Sequence, residues 1–594
     1  MSHIRKLRVL ALAICVLAFV GCAGGGSPAS ERPTAAATPV AQTNASAIET
    51  VLAVPTVIKP TPDLPTPAPT ITVGPTAAPF PLPAGWWDNA VCYEIFVRSF
   101  YDSNGDGIGD LNGIIQKLDY INDGDPKTDT DLGANCIWLM PIMESPSYHG
   151  YDTIDYYKVN HAYGTNDDFK HLTAEAHKRG IKVILDLVLN HTSNQNPWFV
   201  QAAKDPSSPY RDWYLWSKDK PSYTTPWGSE GWHQSPYRNE YYYGIFSDSQ
   251  PDLNYRNPAV TQEAHKISAF WLNDMGADGF RLDAIKHLIE NGSTQENTPE
   301  THAWLRDYRK FLEQTKPGTF TVGEIFGADP TTLQPYYPDQ LDEYFAFEIG
   351  QQIIGAAGYG LAPQYMSAVA STEAKLPFHR WAPFLTNHDQ NRIMSTLGND
   401  MSKAKLAATA LLTLPGMPFV YYGEEIGMLG QKPDEQIRTP MQWSDDDAGG
   451  FTDGKPWEPL QKNFKEVNVA AQDADPGALL NLYRKLINLH TNDKALGSGA
   501  LVPIKTGNGS VAAFLREADD EVALVVINFG QSAADGVTLS LDTSKLAPGT
   551  HTLLPLLGDQ AGADLTVGEG GSIKDYAPLV SLAPRTGYIF KLSQ

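Results

Sequence analysis

Between Val91 and Tyr422 the chain alternates eight short apolar runs with longer helix-like stretches, and this alternation limits the possible folds more than any other feature. The runs fall at 91–97, 135–140, 182–187, 279–283, 319–324, 343–347, 382–387 and 419–422. Strands that alternate with helices line up in parallel, and eight of them predict an α/β fold of the (β/α)8 TIM-barrel type. The connection after the third run is unusually long and reads as an inserted domain over 191–255. It is rich in aromatics, among them Trp198, Tyr210, Trp213, Trp216, Trp227, Trp232, Tyr237 and Tyr241 to Tyr243. Those rings either build the insert's own small core or offer their faces to a ligand. The barrel then occupies 85–190 and 256–497, closed by a helix around 478–489. From 498 to 594 the chain reads as strand and turn only, at 511–515, 522–527, 537–541 and 588–592, which predicts a C-terminal antiparallel β-sandwich.

Ahead of the barrel, residues 1–22 have the form of an export signal: basic Arg5, Lys6 and Arg8, an apolar run from Val9 to Val20, then Gly21 and Cys22. The run is too short to span a bilayer, which takes about 20 residues. Phe19-Val20-Gly21-Cys22 resembles the cleavage box of bacterial lipoproteins. That implies a lipid anchor on Cys22 and an extracellular, membrane-held protein, with plain secretion as the alternative. Residues 23–84 carry 13 prolines and five charged side chains, too little apolar surface to offset ordering entropy, so an extended, disordered tether is expected. The whole chain holds 45 Lys+Arg against 68 Asp+Glu, a net charge of −23. Such a field repels nucleic acid and excludes polyanionic partners. Four cysteines are too few for a disulfide scaffold. Cys92 and Cys136, on the first two strands, read as buried free thiols, with a disulfide as the alternative.

Residues at the C-terminal ends of barrel strands line the active site in this architecture. Here the third run ends Asp186-Leu-Val-Leu-Asn190-His191, the fourth Gly279-Phe-Arg281-Leu-Asp283, the fifth Gly323-Glu324 and the seventh Thr386-Asn387-His388-Asp389. Four acids therefore converge on one mouth. Arg281 lies two residues before Asp283, so strand alternation turns both to the same side and the guanidinium can hold that carboxylate ionised. Asp186 is better placed as a partner of Arg281 than as a reacting group.

These blocks resemble the four signature regions of the α-amylase family of retaining glycoside hydrolases, in order, with similarity from about Trp86 to the end of the chain. The resemblance implies Asp283 as nucleophile, Glu324 as general acid/base and Asp389 as the acid that stabilises the transition state. It implies Tyr151, in His149-Gly-Tyr-Asp, as the platform under the reacting glucose, and His191, Arg281 and His388 as its hydroxyl-binding residues. Retaining cleavage needs two carboxyl groups about 5–5.5 Å apart, one ionised and one protonated. Glu324 is therefore expected to keep a raised pKa through burial and neighbouring carboxylates. The α-glucan substrate implied is starch, glycogen or malto-oligosaccharide, and a monomer is expected.

Asp102-Ser-Asn104-Gly-Asp106-Gly-Ile108-Gly-Asp110 places oxygen ligands at every second position between turn-forming glycines and resembles the family's calcium loop. Ca2+ held by Asp102, Asn104, Asp106, the Ile108 carbonyl and Asp110 is expected, in a structural role. Specificity signals are mixed. Asp152, Gln250-Pro-Asp-Leu-Asn254 and Arg438-Thr-Pro-Met-Gln-Trp443 resemble oligo-1,6-glucosidases and α-glucosidases, in which the matching Asp and Arg clamp the non-reducing end. Lys286-His287 and His149-Gly-Tyr151 resemble α-amylases, in which the Lys-His pair meets the leaving side of the chain. Ala284 stands where enzymes preferring α-1,6 bonds usually carry Val, which favours α-1,4 bonds. Exo-acting glucosidase action and glucosyl transfer of the trehalose-synthase kind are the alternatives.

Overall fold

The computed structural model describes residues 85–593. The expected signal at 1–22, with Cys22, and the expected tether at 23–84 lie outside the described residues. Seven parallel strands form one curled sheet: β1 (Cys92–Ile95), β2 (Cys136–Leu139), β3 (Lys182–Leu187), β4 (Gly279–Leu282), β5 (Phe320–Gly323), β6 (Glu343–Tyr344) and β7 (Phe419–Tyr421). Their order is β6-β5-β4-β3-β2-β1-β7, so the two ends of the sheet are β6 and β7. The segment at 382–384 joins them. Ala382 bridges Phe345 and Phe384 bridges Phe419, both in parallel. The Ala382 N–H donates to the Tyr344 carbonyl (3.0 Å), and the Phe419 N–H donates to that of Pro383 (2.9 Å). The seventh expected run thus occupies its place in the ring without forming a continuous strand, because Pro383 has no N–H to give to a ladder. Closure in this way makes the predicted barrel.

Strand alternation sorts the buried side chains into two layers. Cys92, Cys136, Trp138, Ile184, Phe320 and Val322 share one core cluster inside the ring. Tyr93, Ile95, Ile137, Leu139, Val183 and Leu185 belong to a second, larger cluster under the surrounding helices. The free-thiol reading of Cys92 and Cys136 is overturned, since the two form a disulfide. They are register partners on adjacent parallel strands, which brings their Cα atoms to 4.3 Å. Sequence separation alone does not disclose such a pairing.

The helices begin where their caps demand. Thr165 and Asp168 form a reciprocal capping box on Asn166–Lys178, and Thr298 caps Pro299–Thr315 through the Thr301 N–H. Among the described residues no helix is long and apolar enough to cross a membrane. In the insert a three-stranded antiparallel sheet (216–217, 241–243 and 232–234) packs mainly on its own rings. Trp213 lies 4.9 Å from Trp198 and 5.0 Å from Tyr210, and Phe199 lies 4.9 Å from Tyr242. Most of the insert's aromatics therefore serve its core, whereas Trp227, Tyr237 and Phe246 stay exposed.

After the helix Leu479–Asn492 comes a six-stranded antiparallel sheet made of β8 (Ala500–Pro503), β9 (Val511–Glu517), β10 (Val522–Asn528), β11 (Gly549–Leu557), β12 (Leu565–Val567) and β13 (Thr586–Ser593). Two short strand pairs, 534–535 with 581–582 and 539–541 with 573–576, accompany it. Buried Arg516 on β9 donates to the carbonyls of Thr413 (2.7 Å), Gly497 (3.2 Å) and Gly499 (3.0 Å) and so ties this sheet to the barrel's last helices.

Candidate active site

The lumen-facing positions at the C-terminal ends of the strands carry charge instead of hydrocarbon. On β1 the alternation that turns Cys92 inward also turns Glu94 inward, and β3 and β4 do the same with Asp186 and Arg281. Arg281 is fully buried and its guanidinium meets three carboxylates. Nη1 donates to Asp283 Oδ1 (2.6 Å) and to Asp186 Oδ1 (2.8 Å), and Nη2 lies 3.1 Å from Glu324 Oε2. Two carboxyl groups held on adjacent nitrogens of one guanidinium are necessarily close, which is the condition for a retaining pair. Ala284, directly after Asp283, adopts a left-handed conformation (φ 48°), and its N–H donates to Glu324 Oε2 (3.2 Å).

A second cluster stands beside the first. His388 is buried with Nδ1 2.6 Å from Glu94 Oε1 and Nε2 3.3 Å from Asp389 Oδ2. Arg438 donates through Nη2 to Asp389 Oδ1 (2.9 Å) and Asp434 Oδ2 (3.2 Å), and through Nε to the His388 carbonyl (2.9 Å). Tyr151 links the clusters. Its ring stacks on His388 at 5.4 Å and 14°, and its hydroxyl lies 2.6 Å from His388 Nε2 and donates to Asp186 Oδ2 (2.8 Å).

The environments drive the acids apart. Burial pushes the Glu324 carboxyl up, and the negative charges of Asp283 and Asp389 add to that against the pull of Arg281. Burial acts on Asp389 too, but His388 and Arg438 hold it far below the usual carboxylate range. For His388, burial opposes the charge, yet Asp389 and Glu94 raise its pKa to about 9. His388 is then a cation at neutral pH with both ring nitrogens donating. The Tyr151 hydroxyl can accept one of those hydrogens and pass its own to Asp186, so the network is consistent. A site with one carboxyl pushed up beside another held firmly ionised suits acid/base chemistry at a bond whose cleavage develops positive charge.

The remaining expected residues are distributed around this centre. His191 is buried with Nε2 2.8 Å from the Tyr151 carbonyl oxygen. Asp152 is buried and accepts from the Ser145 hydroxyl (2.7 Å) and from that of Ser147, so its carboxylate is engaged apart from Arg438. Lys286 pairs with Glu296 (2.9 Å). His287 has Nδ1 2.8 Å from the Gln295 carbonyl oxygen, and burial lowers its pKa to about 4. Glu94, Asp434 and the Ala284 N–H are parts of the site that the strand-end inspection passed over. Glu94 could have been found by extending the alternation back from Ile95.

The 102–110 loop lies away from this chemistry. It turns through Gly105 and Gly107 at φ +81° and +93°, and a Cβ on Gly107 would stand 2.0 Å from the Lys455 carbonyl oxygen, so only glycine fits there. Asp102 accepts from the N–H groups of Asn104 (2.9 Å), Gly105 (2.8 Å) and Gly107 (2.7 Å) and from the Thr452 hydroxyl (2.6 Å). Asp106 accepts from the Ile108 N–H (2.8 Å), and Asp110 caps the helix Leu111–Gln116 through Gly113 N (2.7 Å). Every donor atom available to a cation is a hard oxygen, as calcium prefers. Among the described residues no three Asp, Glu, His or Cys groups converge to hold a metal by themselves. An ion here would draw on the Asn104 amide oxygen and the Ile108 carbonyl as well.

Known proteins share this fold. The family described as "Alpha amylase, catalytic domain" matches residues 94–499. Alpha-amylase 3 of Dictyoglomus thermophilum is 39% identical over 464 residues, covering 75% of this chain and 86% of that protein. An oligo-1,6-glucosidase of Parageobacillus thermoglucosidasius is 34% identical over 519 residues, covering 75% and 91%. The crystal structure of an α-amylase from H. orenii superposes with a TM-score of 0.74 at 40% identity, covering 85% of this chain and 99% of that one.

Proposed function

The chain belongs to the α-amylase family of glycoside hydrolases, and from that premise we propose that it hydrolyses the α-1,4-glucosidic bonds of starch, glycogen or malto-oligosaccharides, with retention of configuration and preferentially within the chain. The observation that carries this reading is the single guanidinium of Arg281 shared by Asp283 and Glu324, which holds the two carboxyl groups side by side.

In the first step the Asp283 carboxylate attacks the anomeric carbon while the Glu324 carboxyl gives its proton to the leaving glycosidic oxygen. The carbon–oxygen bond breaks as the glycosyl-ester bond forms, and the shortened glucan departs with a free 4-hydroxyl. In the second step the Glu324 carboxylate takes a proton from water, which attacks the same carbon and releases Asp283. Asp389, kept ionised by His388 and Arg438, faces the positive charge that develops in both steps. Tyr151, fixed by His388 and Asp186, supplies a rigid apolar face for the reacting glucose. His191, Arg281 and His388 orient its hydroxyl groups. The small Ala284 beside the nucleophile favours α-1,4 over α-1,6 bonds.

Calcium at 102–110 would brace the loop after β1 against residues 452–457 and takes no part in bond cleavage. A lipid on Cys22 would hold the enzyme outside the cell, beside polymers too large to enter; a Cys22→Ser chain should then appear in the medium instead of the membrane fraction. The deciding assay is incubation of the full chain with starch, maltose and isomaltose, followed by product sizing. Rapid viscosity loss with mixed malto-oligosaccharides is expected. Glucose released from isomaltose alone would replace the reading with an oligo-1,6-glucosidase, and conversion of maltose to a non-reducing isomer would replace it with a glucosyl transferase.

A further inference from the structure

Glu94 stands out among the acids of the mouth, because it is only 1% exposed and its carboxylate is directed at His388. A buried carboxylate costs on the order of several kcal/mol unless a cation and hydrogen bonds compensate it, so this side chain calls for a reason. Its backbone is fixed in the ring of strands. Glu94 is in register with Trp138 on β2 and with Tyr421 on β7, and its carbonyl accepts from the Tyr422 N–H (2.9 Å). From that place the carboxylate reaches His388 Nδ1 at 2.6 Å, and Trp138 meets the edge of the same imidazole at 5.7 Å.

The other ring nitrogen serves the reacting groups. His388 Nε2 lies 2.6 Å from the Tyr151 hydroxyl and 3.3 Å from Asp389 Oδ2. An imidazole held at Nδ1 by one carboxylate and at Nε2 by another has one orientation, and only its doubly protonated form donates to both. The remaining charged neighbours act less directly. Asp186 and Glu324 act on the ring through space from the ends of β3 and β5, and Arg438 Nε donates to the His388 carbonyl (2.9 Å). Arg281 lies beyond the rings of Trp138 and Tyr151, 5.3 and 5.8 Å from their centroids. Asp389 is shared with Arg438 (2.9 Å), so Glu94 is the acid that serves His388 itself, and its charge favours the imidazolium against burial.

We propose that Glu94 is a positioning residue for the reaction: it holds His388 oriented and charged, thereby fixes the Tyr151 platform and the Asp389 carboxylate, and so sets the alkaline limit of turnover. This rests on the α-glucan hydrolase reading above. The test is the pH dependence of kcat/KM on maltoheptaose for the full chain, Glu94→Gln and Glu94→Asp. In Glu94→Gln the side-chain oxygen can still accept from Nδ1 but the negative charge is gone. The alkaline limb should therefore move down by about one pH unit or more, which reads as about a tenfold loss on that limb and a smaller one at pH 5.5. The direction is diagnostic, because loss of a cation beside Glu324 would by itself move the titration of that acid upward. Glu94→Asp keeps the charge on a shorter stem, and most of the alkaline limb should return. A second measurement needs no variant at position 94. In the chain labelled with 15N-histidine, the ring signal that is missing from His388→Gln should show both nitrogens protonated at pH 8. A neutral ring there, an alkaline limb that stays in place or moves upward in Glu94→Gln, or an equal loss at every pH would overturn the assignment while the hydrolase reading stands. Failure of the unmutated chain to cleave any α-glucan would remove the hydrolase reading, and the role of Glu94 in turnover with it.

Discussion

His388 offers the sharpest test of the electrostatics, because its charge is opposed by burial and sustained only by Glu94 and Asp389. In the unfolded chain an imidazole titrates near 6.5, whereas here its pKa is raised to about 9. A shift of that size is worth about 3 kcal/mol of folding free energy. The pKa is higher in the folded state, so this stability is fully present below about pH 6.5 and is lost as the pH rises through about 9. Asp389 contributes in another window: its depressed pKa gives stability that is present above the unfolded carboxylate range and lost in acid. Thermal midpoints of the full chain and of His388→Gln, measured from pH 5.5 to 10, report on His388, because the Asp389 window lies below that range. The gap between the proteins should be widest at pH 6 and should close by about pH 10. Activity of the unmutated chain should fall over the same alkaline range, as the Tyr151 hydroxyl loses its charged neighbour. A gap of equal size at pH 6 and pH 10 would mean that His388 is neutral throughout, and the account of Asp389 as a firmly ionised group would fail.

Three further outcomes follow from named contacts. Arg281→Ala removes the one cation that Asp186, Asp283 and Glu324 share and should cost about 3–5 kcal/mol in denaturant unfolding; a loss below 1 kcal/mol would show that the guanidinium does not hold these carboxyl groups together. Adding a chelator should lower the melting temperature of the full chain by several degrees but leave Asp106→Ala unaffected, and an unchanged melt would count against calcium at 102–110. Replacing both Cys92 and Cys136 by Ser removes a cross-link with a sequence separation of 44, which loop-closure entropy values at about 4 kcal/mol; equal stability of reduced and oxidised protein would contradict the bridge.

Much of the barrel and its mouth could be read from the chain because both depend on local regularities. Strand alternation places Arg281 and Asp283 on one side within a few residues, and helix caps such as Thr165 and Thr298 mark where each crossover begins. The same alternation, followed one step further, leads to Glu94. What stayed hidden depends on contacts between distant segments. The Cys92–Cys136 bridge is decided by the register of β1 against β2, and ring closure at 382–384 by which neighbours accept a strand broken at Pro383. Whether an insert aromatic is core or surface is likewise a tertiary question. Trp213 and Trp227 belong to the same stretch and differ only in what packs over them.

The charge balance of the mouth connects these parts to the chemistry. Glu94, Asp186, Asp283, Glu324, Asp389 and Asp434 are six carboxyl groups gathered around three cations, Arg281, His388 and Arg438. A buried site cannot sustain that excess with every acid ionised, so a proton settles where compensation is poorest. Asp389 has two cations in contact and Asp283 lies 2.6 Å from Arg281 Nη1, whereas Glu324 meets the same guanidinium at 3.1 Å while facing both other acids. Burial and the two neighbouring acids push the Glu324 carboxyl up, so it can act as the acid. Once it gives that proton to the leaving oxygen, the negative charge of the pocket rises just as the sugar carbon becomes positive. The excess that is unfavourable in the empty site is thus offset in the transition state, which is where a catalyst gains from it.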